Sequence, residues 1–197
     1  AYTAGFSPHQ IMSFAAPLGV GLESNGEYMD MEVNTFTGSQ DTVDRLNAAC
    51  AEGIEVLSAK VLPDGAGNAM ASVAAAGYTV QFREGRAPEG NWQKGILTFC
   101  DSPHIYVTKE TKKNTLEVDL RPGIFSIEIS GDVIYMLIDA SSSGNIKPGA
   151  VIAAYLASEN QTLKENALLI TREDTYTNLG TAEAPRFVSL DAVGEDR

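Results

Sequence analysis

Two cysteines, two histidines and one tryptophan are all that this chain has of several residue types that carry metal, redox or nucleophilic chemistry. Cys50 and Cys100 are too few for a disulfide framework at this size and read as buried thiols. Together with His9 and His104 they show none of the close paired spacings that a zinc site uses. Neither histidine lies near a Gly-x-Ser-x-Gly element, and Pro103 separates Cys100 from His104 where a strand end runs into a turn. Gly65-Ala66-Gly67 has Met70 where a dinucleotide fingerprint needs its third glycine, and no Gly-Lys-Ser/Thr follows any glycine loop. No catalytic residue, metal or cofactor is assigned on these grounds, and the chain is expected not to be an enzyme.

Long hydrophobic runs are also missing. The longest, Val133 to Ile138 and Val151 to Leu156, fall far short of the roughly 20 residues of a membrane span, so no membrane partner is expected. The opening Ala1-Tyr2-Thr3-Ala4-Gly5 has neither a basic nor an apolar leader region, as after removal of a signal or of an initiator methionine. Basic clusters are scarce too. Residues 1–100 hold 11 acids and 5 bases, residues 101–197 hold 15 and 9, and the formal net charge is -12. Nucleic-acid affinity comes mainly from neutralising phosphates, so direct nucleic-acid binding is not expected.

What is present is an ordinary globular composition: 197 residues, 44% hydrophobic and 20% charged, enough for one substantial core. Residues 1–38 are rich in Gly, Ser, Asn and Pro yet hold Phe6, Ile11, Met12, Phe14, Leu18, Val20 and Leu22 without helical periodicity. They read as an extended arm laid over a surface, its own or a neighbour's. Between Ser39 and Lys60, positions Val43, Leu46, Asn47, Cys50, Ile54 and Leu57 fall near one helical face, and Gly53 is the natural stop. A helix over about 40–52 follows.

Short β-type runs then recur at 78–83, 95–100, 104–108, 115–120, 124–129, 132–138, 150–156, 167–172 and 186–191. Ser130-Gly131-Asp132 is a hairpin turn, Lys147-Pro148-Gly149 closes a polar loop, and residues 115–138 read as a meander. Phe125, Ile127 and Ile129 alternate with Ser126 and Glu128, the period of a strand with one wet face. The expected fold is mainly β within the α+β class: a small antiparallel barrel or sandwich, one helix near 40–52 and the arm. The expected division is arm 1–38, helix-containing segment 39–76 and β-domain 77–197.

Leu120-Arg121-Pro122-Gly123-Ile124, Gly131-Asp132-Val133-Ile134-Tyr135 and Asn145-Ile146-Lys147-Pro148-Gly149-Ala150-Val151-Ile152 together resemble the small β-domains of bacteriophage head decoration, or cement, proteins. The likeness covers about residues 115–191. It implies a non-enzymatic virion protein, assembled in the host cytoplasm, that clamps the major capsid protein or another virion protein and self-associates, often as a trimer. Phe6, Ile11, Met12, Phe14, Leu18 and the loop-like Trp92 are then the interface candidates, packing beneath its own loop being the other place for Trp92. The alternative is an extracellular or appendage β-module that binds carbohydrate through Trp92, Tyr106 and Tyr155. A hydrolase built on paired carboxylates is the third reading, though with 26 acids some pair will always be close.

Overall fold

A computed structural model describes residues 1–110 and 115–197. The N-terminal segment holds three short strands, β1 (Met12–Phe14), β2 (Glu23–Ser24) and β3 (Met29–Met31), then helices α1 (Ser39–Ala49) and α2 (Ala69–Ser72). From residue 75 the order is β4 (Ala75–Phe82), α3 (Trp92–Cys100), β5 (Tyr106–Glu110), β6 (Thr115–Asp119), β7 (Ile124–Ser130), β8 (Val133–Asp139), α4 (Pro148–Ser158), β9 (Leu168–Asn178) and β10 (Phe187–Ser189). The class is mixed α+β.

The main sheet runs β10-β9-β4-β8-β7, with β2 added in parallel beside β9. Without the β5–β6 hairpin, β4-α3-β7-β8-α4-β9 is a βαββαβ unit with antiparallel neighbours, the ferredoxin-like plan. Helices α3 and α4 cover one face. Tyr78 and Val80 of β4 and Ile134, Met136 and Ile138 of β8 meet Trp92, Ile96 and Cys100 of α3 and Val151, Ile152 and Tyr155 of α4 in one buried cluster. Each large apolar side chain so buried contributes about 1.5–3 kcal/mol.

Two runs expected as strands are the helices that make this core. Residues 95–100 belong to α3, where Asn91 caps the start by accepting from the Lys94 amide and Trp92, Ile96 and Cys100 recur every four residues. Residues 150–156 belong to α4; Pro148 sits in its first turn, and Val151, Ile152, Tyr155 and Leu156 form the buried face. A short apolar run does not reveal by itself whether it repeats at two or at 3.6 residues. Lys147-Pro148-Gly149 therefore starts a helix instead of closing a turn.

The barrel or sandwich is likewise replaced: among the described residues the strands form open sheets. Residues 115–138 are no continuous meander, because β6 pairs with β5 and only β7 and β8 form a hairpin, through Ser130-Gly131-Asp132 with Gly131 at φ 58°. A register shift between Ile124 and Ser126 interrupts the alternation and leaves Phe125 against Phe187 of β10, ring centroids 4.5 Å apart. The edge strands β7 and β10 thus meet through side chains. Ile127 and Ile129 still pack on the core, and Ser126 and Glu128 remain in water.

The expected extended arm is a set of β-ribbons. The Thr3 amide donates to the His9 carbonyl at 2.8 Å, Tyr2 bridges Gln10, and β1 pairs antiparallel with β3. The turn after β2 is held to the sheet by Arg172, whose guanidinium reaches Glu27 at 2.6 Å and donates to the Ala16 carbonyl at 2.6 Å. Tyr28 donates to Asp174 at 2.5 Å, and Asn25 donates to Glu173 at 2.7 Å. Gly26 is required there because a Cβ would lie 2.9 Å from the Glu173 carbonyl oxygen.

The closing segment fastens the next stretch: Ser58 and Lys60 both donate to Asp191, at 2.6 and 2.8 Å, and Val61 bridges Glu195. These anchors titrate. Lys60 is raised above its ordinary 10.5 chiefly by its bond to Asp191, and burial, then Asp174, push the Tyr28 phenol up to about 12. Both contributions are full below pH 10 and are lost as pH rises through the raised values. Asp191 is lowered from 3.8, first by Lys60 and then by Ser58, so its contribution holds above that value and is lost as pH falls. Proteolysis within residues 1–74 is therefore expected to be slow from about pH 5 to 10 and to accelerate below and above that range while β4 and β8 stay protected. A flat profile from pH 3 to 11 would remove these anchors from the account.

Candidate docking surface

Helix α1 is held at its start by local contacts and by one from the far end of the chain. Thr42 Oγ donates to the Gly38 carbonyl at 2.8 Å, Asp41 lies in the first turn, and the Ser39 amide donates to the Arg197 carbonyl at 2.8 Å. The helix ends when the Cys50 amide bonds back to Leu46, and Gly53 at φ 87° turns the chain. Asn47 then clamps the returning segment, donating to the Val56 carbonyl at 2.9 Å and accepting from its amide at 2.7 Å. Ile54, Glu55 and Leu57 are thereby held alongside the helix. The helix expected over about 40–52 runs over Ser39–Ala49 instead, and Ile54 and Leu57, 63% and 74% exposed, lie on the clamped segment beyond it.

No residue of α1 is buried. Its half-buried Thr42 and Leu46, with Arg45, face Met31, Val33 and Thr35 across an open cleft of about 450 Å³. Val33 and Phe36 are exposed beside it. A helix with no fully buried residue draws less stability from tertiary packing, the usual support for a helix of 11 residues.

Of the candidates named from sequence, Phe6 stands fully exposed near the tip of the 2–10 hairpin. Met12 and Phe14 share the exposed side of β1, and Ile11 and Leu18 are more than a third exposed. Trp92 is a correction. It is 5% exposed, opens α3 and meets Phe82 edge to face with centroids 5.2 Å apart, so it is core and not an interface anchor.

His104 is exposed, and its Nδ1 lies 2.8 Å from Asp119 Oδ2 with the ring stacked on Tyr106. Asp119 also accepts from the Ile105 and Arg121 amides at 2.8 and 3.0 Å, and His104 first, then Ile105, holds its carboxyl below the usual range. The pair ties the base of the β5–β6 hairpin to the turn that follows. Glu117, two residues away, is exposed, so the two acids do not converge. Cys100 is buried, with its thiol pushed up to about 11 by that burial, whereas Cys50, also expected to be buried, is only half-buried. Among the described residues no group of three or more His, Cys, Asp or Glu side chains could hold a metal ion, and no helix is long and apolar enough to cross a membrane.

Sequence reasoning missed the Arg172–Glu27 pair and the apolar edge at Ile54 and Leu57. Arg172 closes the run 167–172, expected as a strand, with nothing in the run to show that its side chain is buried. Only the pairing of β9 with β2 puts it beneath residues 16–27.

A family model described as an uncharacterized protein conserved in bacteria (DUF2344) matches residues 1–148. No curated protein and no solved structure matches the chain. The family match overturns the resemblance to phage decoration proteins, and with it the capsid role and the virion location. The physical reason is visible in the fold, since the Pro-Gly element that carried the likeness begins α4. The carbohydrate-binding alternative falls as well: two of its three stacking rings, Trp92 and Tyr155, are buried in the core.

Proposed function

The chain belongs to DUF2344, a family conserved in bacteria, and from there we propose that it works by association: a non-enzymatic protein-recognition module whose N-terminal segment docks on another protein. The observation that carries this reading is α1, a helix with no buried residue, beside an unfilled cleft and the exposed Ile54 and Leu57. The ferredoxin-like unit serves as the rigid support, gripping the segment through Arg172 and Asp191. Covering such side chains supplies about 25 cal/mol per Å² of apolar surface removed from water, which is the drive a docking surface needs.

The test places a photoreactive amino acid at position 57, and separately at position 128 on the exposed side of β7, in the full chain within bacterial cells. A discrete heavier adduct from position 57 alone is expected. No adduct from position 57, or the same ladder from both positions, would end this reading. In parallel, Leu57→Ser is expected to change the unfolding free energy by no more than about 0.5 kcal/mol, as for a surface residue.

A further inference from the structure

We infer that the partner surface is cationic and apolar: a lysine- or arginine-rich amphipathic segment of another protein, seated along α1 and the clamped 54–57 segment. The inference rests on the docking reading above and names the chemistry of the occupant.

Charge supplies the argument. Residues 1–74 carry nine acids against two bases, Arg45 and Lys60. Both bases are engaged within the chain, Arg45 with Asp41 at 3.6 Å and Lys60 with Asp191 at 2.8 Å. Glu32, Asp44, Glu52 and Glu55 are exposed and have no cationic partner among the described residues. Glu52 and Glu55 bracket Ile54 and precede Leu57, so the exposed apolar side chains and the unneutralised carboxylates share one strip.

A second copy of the chain would bring an equally acidic strip against this one, and like charges facing each other at an interface are costly. A neutral apolar partner would have to strip water from these carboxylates with nothing to replace it. A basic amphipathic segment meets both demands, placing its apolar side against Ile54 and Leu57 and its cations among the acids. Such a helix laid on a groove is a recurrent mode of peptide recognition.

The experiment titrates the full-length protein with three synthetic helical peptides of equal length, built from Leu and Lys, Leu and Glu, or Leu and Gln, and reads affinity by fluorescence anisotropy. The Leu/Lys peptide is expected to bind, and to bind about tenfold more weakly after Glu52→Lys with Glu55→Lys. Leu57→Ser should weaken it as well. Raising the salt should weaken it through screening, while Glu128→Lys with Asp132→Lys on the β7–β8 hairpin should leave it unchanged. Equal binding of the Leu/Glu or Leu/Gln peptide, or equal loss from the two pairs of reversals, overturns the cationic partner. So does a dimer in light scattering that Leu57→Ser dissociates, which would install a second copy instead. Those results leave association itself standing; only failure of the crosslinking test at position 57 removes that.

Discussion

Glu27→Ala is expected to lower the unfolding free energy by about 3 kcal/mol and to free the N-terminal segment for proteolysis. Its partner Arg172 has a side chain only 5% exposed, so deleting the carboxylate leaves a buried guanidinium with no countercharge and only the Ala16 carbonyl and the Tyr78 hydroxyl beside it. The effect lies at the low end of the range for breaking a buried pair because Glu27 itself is 34% exposed, and water can partly replace it. Arg172→Met behaves differently. It removes the buried charge, packs beside Tyr78, and leaves Glu27 near water, so the loss is about 1–2 kcal/mol. Urea unfolding of both variants and of the double variant measures the asymmetry. A larger loss for Arg172→Met than for Glu27→Ala would show that the pair does not hold the segment as described.

Trp92→Ala is expected to cost about 3–5 kcal/mol, the range for removing a large aromatic from a packed core. The ring lies between the sheet and α3, against Phe82, in the same cluster as Ile96 and Tyr155. An interface anchor would behave in the opposite way, with stability nearly unchanged and binding lost. Thermal unfolding of the variant separates the two. The Leu57→Ser comparison is its mirror image, since that side chain is 74% exposed.

Some of the molecule is written in short stretches of sequence. The existence of α1 near residue 40 follows from its apolar spacing and from Asp41 in its first turn, although it ends at Ala49, before Gly53; the β7–β8 turn follows from Ser130-Gly131-Asp132; and the two wet residues of β7, Ser126 and Glu128, follow from alternation. Each depends on a backbone preference or a period that acts over a few residues. The exposed apolar residues of segment 1–38 were visible for the same reason, as a composition that no local period could bury. The physical nature of α3 and α4 was not, because Gly95-Ile96-Leu97-Thr98-Phe99-Cys100 and Val151 to Leu156 satisfy a strand or a buried helix equally until the sheet they cover is known. Pro148 and Asn91 were the signals that could have decided it, as a first-turn proline and an N-cap.

What the sequence alone determined is therefore the local inventory: an acidic chain, poor in Cys, His and Trp, with one polar helix, several strands and an apolar N-terminal segment that nothing nearby could cover. Tertiary structure decided which of those apolar residues became core and which stayed outside. Trp92 went in because α3 lies on the sheet; Ile54 and Leu57 stayed out because Asn47 clamps their segment beside a helix with no fully buried residue; Arg172 was buried because β2 joined the sheet edge at β9. Burial is set by contacts between residues far apart in the chain, 145 positions in the case of Arg172 and Glu27, and no local preference encodes such a distance.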